Sequence, residues 1–368
     1  MRREREVNRR SALRRAYPTR SRSPERDIKL ARTLLSLVIT GLILSSGSRV
    51  SGDTVLRSAL HDYRVVTVVE ALIQPWSIAF LPGGDMLVTE RPGRLRIVRE
   101  GKLLPLPVEG VPQVFSSNQA GLLEVTSHPN FASNRMLYLS YSKPKADGKQ
   151  STTALIRGRF ENDRLTDVQP LFESISEGRG HFGGKIAFDK NGFLFVTLGD
   201  RQVPPEGDLE THPAQDLSNH HGKMIRLHDD GRVPADNPFV NRADARPEIW
   251  SYGHRNVQGL AVHPETGDVW TNEHGPQGGD ELNRLQPGKN YGWPVIGFGV
   301  NYQTGLTIHK GTMRAGMEQP THIWVPSIGI SGLLIYSGER FPQWRGNLFA
   351  GGMVGQQLRG SRCKVSKW

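Results

Sequence analysis

Trp76-Ser-Ile-Ala-Phe-Leu-Pro-Gly-Gly-Asp-Met-Leu-Val-Thr89 is the stretch that decides the fold. Two short runs rich in β-branched and aromatic residues flank a Pro-Gly-Gly-Asp turn, which reads as a β-hairpin. The unit returns as Gly184-Lys-Ile-Ala-Phe-Asp-Lys-Asn-Gly-Phe-Leu-Phe-Val-Thr197 and as Gly259-Leu-Ala-Val-His-Pro-Glu-Thr-Gly-Asp-Val-Trp-Thr271. A longer version runs from Gly121-Leu-Leu-Glu-Val-Thr126 to Met136-Leu-Tyr-Leu-Ser140, and a last one from Ser331-Gly-Leu-Leu-Ile-Tyr336 to Gly346-Asn-Leu-Phe-Ala350. The landmarks Phe80, Val125, Phe188, Val262 and Ile335 lie 45, 63, 74 and 73 residues apart. A constant hairpin at irregular spacing predicts blades of a β-propeller with variable loops. A β-sandwich would rarely repeat one hairpin five times. No long amphipathic helix follows residue 60, so one all-β domain is expected over 60–368.

Outward from the hairpins, composition removes several function classes. The chain has 368 residues and a net charge of +11. Residues 1–50 hold 13 Lys/Arg against 4 Asp/Glu, which leaves the body at +2. The basicity belongs to the leader, so the body has no electrostatic reason to bind nucleic acid. The single Cys excludes a disulfide framework and any Cys-based metal centre. Within the leader, an Arg-rich region precedes the apolar run Leu34–Leu44 and a small-residue exit, Ser45-Ser-Gly-Ser48. That order predicts a signal peptide over 1–50 and a periplasmic or secreted protein. The apolar run is too short for a stable membrane span once cleavage is allowed for.

Chemistry is expected in the inserts between hairpins, because a propeller gathers its loops at the channel mouth. Three inserts stand out. Arg179-Gly-His181-Phe-Gly-Gly184 offers a His on open backbone, suited to proton transfer near neutral pH. Tyr252-Gly-His-Arg255-Asn256-Val-Gln258 offers a fixed planar cation beside an amide. Asn272-Glu-His-Gly275-Pro276-Gln-Gly-Gly-Asp280-Glu281-Leu-Asn283 offers oxygen ligands for a hard cation such as Ca²⁺. An ordinary core His, a salt bridge under a loop and a plain polar loop fit these residues too. The spacing is neither an EF-hand nor HExxH, and no GxGxxG, P-loop or GxSxG elbow is found.

Together the inserts resemble the soluble PQQ-dependent glucose/sorbosone dehydrogenases, nearest to the bacterial periplasmic aldose sugar dehydrogenases. QPWSIAFLPGGDMLVTER, GLLEVTSHPNF, GHRNVQGLAVHP, NEHGPQGGDELN and KNYGWP carry the resemblance in order, from about Pro75 to Arg359. It implies a six-bladed β-propeller that binds pyrroloquinoline quinone (PQQ) and Ca²⁺ and oxidises the C1 hydroxyl of an aldose to a lactone. His181 matches the general base. Arg255 matches the arginine at the quinone oxygens, and Asn256 a PQQ contact. Ser327 to Ser331 occupy a PQQ-contacting stretch. Gln119 and Tyr302 match substrate residues. The carbonyls of Gly275 and Pro276 match the holders of the PQQ-bound calcium. Glu281 and Tyr291 match ligands of a second, structural calcium. Neither the sugar nor the electron acceptor follows from the resemblance.

Two departures stand out. Gly180 replaces an acidic residue that some relatives carry before the base. After Arg359 the chain runs Gly-Ser-Arg-Cys-Lys-Val-Ser-Lys-Trp368, where the family continues for about one more blade with arginines that clamp PQQ. The expectation is therefore a propeller lacking its last strands. Two rival functions follow: a non-catalytic propeller that binds a sugar or partner, and a Ca²⁺-dependent lactone hydrolase. The second would need inward carboxylates from several blades, and one acidic loop is visible.

Overall fold

The computed structural model describes residues 55–361. The leader, its signal peptide and the tail around Cys363 lie outside the described residues. Each repeated hairpin forms the first two strands of a separate antiparallel sheet, so the repeat in the sequence is the repeat in space. The first sheet is β3 (Pro75–Phe80), β4 (Met86–Glu90), β5 (Arg94–Arg99) and β6 (Lys102–Leu103). It is preceded by a small hairpin, β1 (Val55–Arg57) with β2 (Asp62–Arg64). The second is β7 (Leu122–Ser127), β8 (Met136–Pro144), β9 (Ser151–Glu161) and β10 (Arg164–Gly178). The third is β11 (Ile186–Phe188), β12 (Leu194–Leu198), β13 (Lys223–Leu227) and β14 (Ile249–Tyr252). The fourth is β15 (Val257–Val262), β16 (Val269–Glu273), β17 (Asp280–Leu285) and β18 (His322–Trp324). The fifth has three strands, β19 (Ile330–Ile335), β20 (Leu348–Gly352) and β21 (Gln357–Ser361). Among the described residues, then, five blades are present, each a meander built outward from its hairpin.

Alternation along the strands explains why the blades stack. Leu139 and Ile156 of the second blade face Leu87, Leu95 and Ile97 of the first. Their neighbours Tyr138 and Leu155 point to the opposite face, against Ile186, Leu194, Val196 and Ile225 of the third. Phe195, Met224 and Trp250 then meet Val269 and Leu285 of the fourth. Trp270 and Leu282 meet Ile335 and Leu348 of the fifth. Each middle strand is thus apolar on both faces, which is why β12 is buried throughout. Outer strands such as β21 read exposed instead. The β1–β2 hairpin leans on the fifth blade. The His61 ring lies 5.4 Å from both Phe341 and Trp344, and His61 Nε2 accepts the Gln343 amide at 3.2 Å.

Leu139 is wholly buried between the first two blades. Leu139→Ala removes side-chain packing from that layer and should lower the unfolding free energy by about 2–5 kcal/mol. The shift of the urea denaturation midpoint measures it.

Candidate functional site

Every inner strand begins, and every second strand ends, at the same end of the ring. The turns before β7, β11, β15 and β19 and those after β4, β12 and β16 therefore share one cavity of about 720 Å³. Gln119, His181, Arg255, Asn256, Tyr302 and Ser331 all line it, so the structure brings together six residues that the sequence singles out. Trp76, Arg91, Lys185, Gln202, Gln258 and His274 join them.

His181 adopts the left-handed backbone region at φ 45°, uncommon for a residue with a Cβ. Two bonds hold it there. Its amide donates to Gln119 Oε1 at 2.7 Å, and its Nδ1 sits 2.5 Å from Asp200 Oδ1. Gly199 makes room, since a Cβ there would overlap the His181 carbonyl. Asp200 is only 1% exposed, just past the end of β12. Its second oxygen accepts Trp293 Nε1 at 2.8 Å. Burial alone would raise this carboxyl. The His181 charge and hydrogen bond, then the Arg255 charge and the Gln202 amide, outweigh it and hold the pKa below the ordinary carboxyl value. We assign the Nδ1 proton of His181 to the bond with Asp200, which leaves Nε2 as the free acceptor.

Arg255 is aimed from the turn before β15. Its amide donates to Glu273 Oε2 at 2.7 Å, and Nη1 donates to the Gly275 carbonyl at 2.8 Å. The guanidinium stands 5.2 Å from the Trp293 ring centre. Asn256 turns Oδ1 to the Gly183 amide at 3.3 Å and to Gln258 Nε2 at 3.0 Å. His274, beside this cation, is pushed down to about 4 by burial, with the Asp280 charge opposing and the Arg255 and His181 charges adding. It is therefore neutral near pH 7.

The acidic loop divides its work differently from what its sequence suggests. Asp280 is a brace. Its Oδ1 accepts Gly275 N at 3.1 Å and Ser327 Oγ at 2.8 Å, and its Oδ2 accepts Ile328 N at 3.0 Å and Ile330 N at 3.1 Å. Ser327 thus spends its hydroxyl on the scaffold. Glu281 and Tyr291 line a second, small cavity with Glu273. Burial first, then the Glu273 charge, raises the Glu281 carboxyl to about 8. The Tyr291 hydroxyl is committed elsewhere, donating to the Arg284 carbonyl at 2.9 Å and accepting the Gln286 amide at 2.8 Å. Only its other atoms are free for a metal. Among the described residues, no group of three His, Cys, Asp or Glu side chains converges as a metal site. The donor chemistry still suits a hard cation. The Gly275 carbonyl already faces one positive group, Glu281 and Glu273 line the small cavity, and Asn283, whose Nδ2 donates to both carboxylates, keeps a buried, unpartnered Oδ1.

A propeller whose channel mouth holds a carboxylate-braced His and an Arg in one cavity is a scaffold for acid–base chemistry on a small polar ligand. The chain belongs to the glucose/sorbosone dehydrogenase family, whose model matches residues 72–367. It is 45% identical over 309 residues to aldose sugar dehydrogenase YliI of Escherichia coli, covering 82% of this chain and 81% of that protein. The fold superposes on a crystal structure of a glucose dehydrogenase with a TM-score of 0.77 at 45% identity, over 81% of this chain and 86% of that one. It also superposes on the PQQ-bound aldose sugar dehydrogenase of Streptomyces coelicolor, with a TM-score of 0.66 at 28% identity over 82% and 80% of the two chains.

Sequence reasoning missed Asp200, Trp293 and Gln202. The one signal for Asp200 was an Asp directly after a buried strand and Gly199, at the channel end of the hairpin that follows His181.

Two predictions follow from these carboxylates. Asp280→Ala leaves four donors without their acceptor and should cost about 3 kcal/mol or more of stability, read by chemical denaturation. Asp200 titrates lower in the fold than in the unfolded chain, so its contribution is complete above about pH 4 and is lost as pH falls below it. Asp200→Asn should flatten that part of the acid limb in a pH series of unfolding curves.

Proposed function

We propose that the chain oxidises the C1 hydroxyl of aldose sugars to lactones, with His181 as general base. The single observation that carries this reading is the His181–Asp200 pair, whose imidazole lines a roomy cavity together with Arg255 and three glutamines. The aldose and glucose dehydrogenases similar to this chain support the same reaction class.

Oxidation removes two hydrogens from C1 and its oxygen. His181 Nε2 accepts the hydroxyl proton while Asp200 stabilises the imidazolium that forms. The C1 hydrogen leaves with its electron pair. PQQ, when bound, supplies the two-electron acceptor for that hydride. The cavity suits such an acidic orthoquinone: Arg255, Lys185 and Arg91 bring positive charge to its wall, and Asn256 and Ser331 bring neutral polar groups. Lys185 is the least available of the three, since Glu124 pairs with it at 2.8 Å. Arg255 is placed to stabilise negative charge developing on the acceptor. Ca²⁺ would take the carbonyls of Gly275 and Pro276, and a structural Ca²⁺ the Glu281 region with Tyr291. Gln119 and Tyr302 belong to the sugar side. Tyr302 is 65% exposed, as a rim residue that meets incoming substrate would be.

The mature domain spans about residues 60–368 and works in the periplasm or outside the cell after the leader is removed. Among the described residues, no helix is long and apolar enough to cross a membrane. The ring is of the six-bladed kind. Ile78 and Phe80 on β3 and Leu334 and Leu358 on the fifth blade remain exposed, as faces made for a further blade would be.

The test is dye-linked aldose oxidation by protein supplied with PQQ and Ca²⁺. Turnover should require PQQ, and His181→Ala should reduce kcat by about 10²- to 10⁴-fold. Undiminished turnover in that variant would remove His181 from the role. A protein that takes up no PQQ would favour the non-catalytic propeller instead.

A further inference from the structure

Gly180 leaves a space directly before His181, and the side chain of Gln202 fills it. A Cβ built on Gly180 would overlap Gln202 Cδ and Oε1 and stand 2.7 Å from Nε2. Gln202 reaches this place from an unusual turn. Arg201 and Gln202 both adopt left-handed backbone, at φ 60° and 61°. Neither an Arg nor a Gln favours that conformation by itself, so the surroundings hold it. Here Arg201 is clamped by the carbonyls of Ser151 at 2.7 Å and Gly178 at 3.0 Å, with its guanidinium 3.8 Å from the Phe182 ring centre. Gln202 is tied by its own amide to Asp200 Oδ1 at 2.9 Å. That is the oxygen His181 Nδ1 uses. One buried carboxylate oxygen therefore sets the position of both the imidazole and the glutamine. The Gln202 side chain is exposed on the cavity wall, and among the described residues no protein group bonds its amide.

We infer that Gln202 is a specificity-determining residue that binds the sugar hydroxyl on the carbon next to C1. A hydroxyl both donates and accepts, and a primary amide offers a complementary oxygen and NH₂. A group held by the same oxygen as the base, in the space beside it, meets the substrate one position from the reacting oxygen. This inference rests on the proposed reading of His181 for the identity of the reacting position. It makes Gln202 a binding group that does not take part in proton or hydride transfer.

The experiment compares wild type, Gln202→Ala, Gly180→Ala, the double variant of these two, and His181→Ala, all with PQQ and Ca²⁺. Calorimetry measures binding of an aldonolactone and its 2-deoxy analogue, and steady-state assays use the matching aldoses. Gln202→Ala should weaken lactone binding about tenfold, raise KM by a similar factor and leave kcat near wild type. The 2-deoxy compound should bind wild type and Gln202→Ala alike. Gly180→Ala should displace the amide and reproduce the loss, with no further loss in the double variant. Wild-type lactone affinity in Gln202→Ala would overturn the inference, and so would equal weakening of both compounds. His181→Ala reports separately. If it turns over normally while Gln202→Ala still loses binding selectively, the base assignment fails and the Gln202 contact stands.

Discussion

A buried carboxylate must be matched on each oxygen, and at Asp200 that requirement fixes the channel mouth. One oxygen takes the His181 imidazole and the Gln202 amide, and the other takes the Trp293 indole. The Asp200 amide in turn donates to the Arg255 carbonyl at 2.8 Å. Residues from the turns before β11, after β12, before β15 and after β17 thus converge on one side chain. None can shift without leaving a charged group unpaired in a medium that screens it poorly. Left-handed backbone at His181, Arg201 and Gln202 is tolerated because these bonds over-determine it.

The same device recurs one blade on. Glu273 ends β16 and gathers His254 Nδ1 at 3.0 Å and the Arg255 amide. Asp280 opens β17 and ties the Gly275 turn to the chain entering β19. Blades stack through apolar faces, which are non-directional and fix spacing more than angle. Carboxylates at strand ends add the direction. They turn a packed ring into a site whose groups point at a common space.

This division explains what the sequence discloses. All five hairpins are legible, because alternation and turn residues are local signals, and each hairpin is the inner pair of a blade. The hairpins also identify the shared end, since inner strands all begin there. Gln119, His181, Arg255, Asn256 and Ser331 share the cavity for that reason, while Tyr302 reaches it from the long segment between β17 and β18. Side-chain direction is another matter. The hydroxyls of Ser327 and Tyr291, both expected at a bound group, serve the scaffold instead. Asp200 lies 19 residues from His181 and Trp293 lies 93 from Asp200, so no local pattern joins them.

The charges around the cavity also divide the labour of the proposed oxidation. Removing hydride and proton from one C–O–H unit needs a sink for each at opposite ends. Asp200 is anionic and takes the Nδ1 side of the His181 ring, so positive charge arriving on the imidazole meets a negative partner. Arg255 lines the same cavity and is cationic, so negative charge is favoured beside it. His274, on the same cavity wall, is held neutral, largely by its burial, and so adds no competing positive charge. Exchanging the signs would oppose both transfers. A pair of opposite charges, an anion bonded to His181 and a cation on the wall of the same cavity, is what separates this channel mouth from a merely polar opening in a propeller.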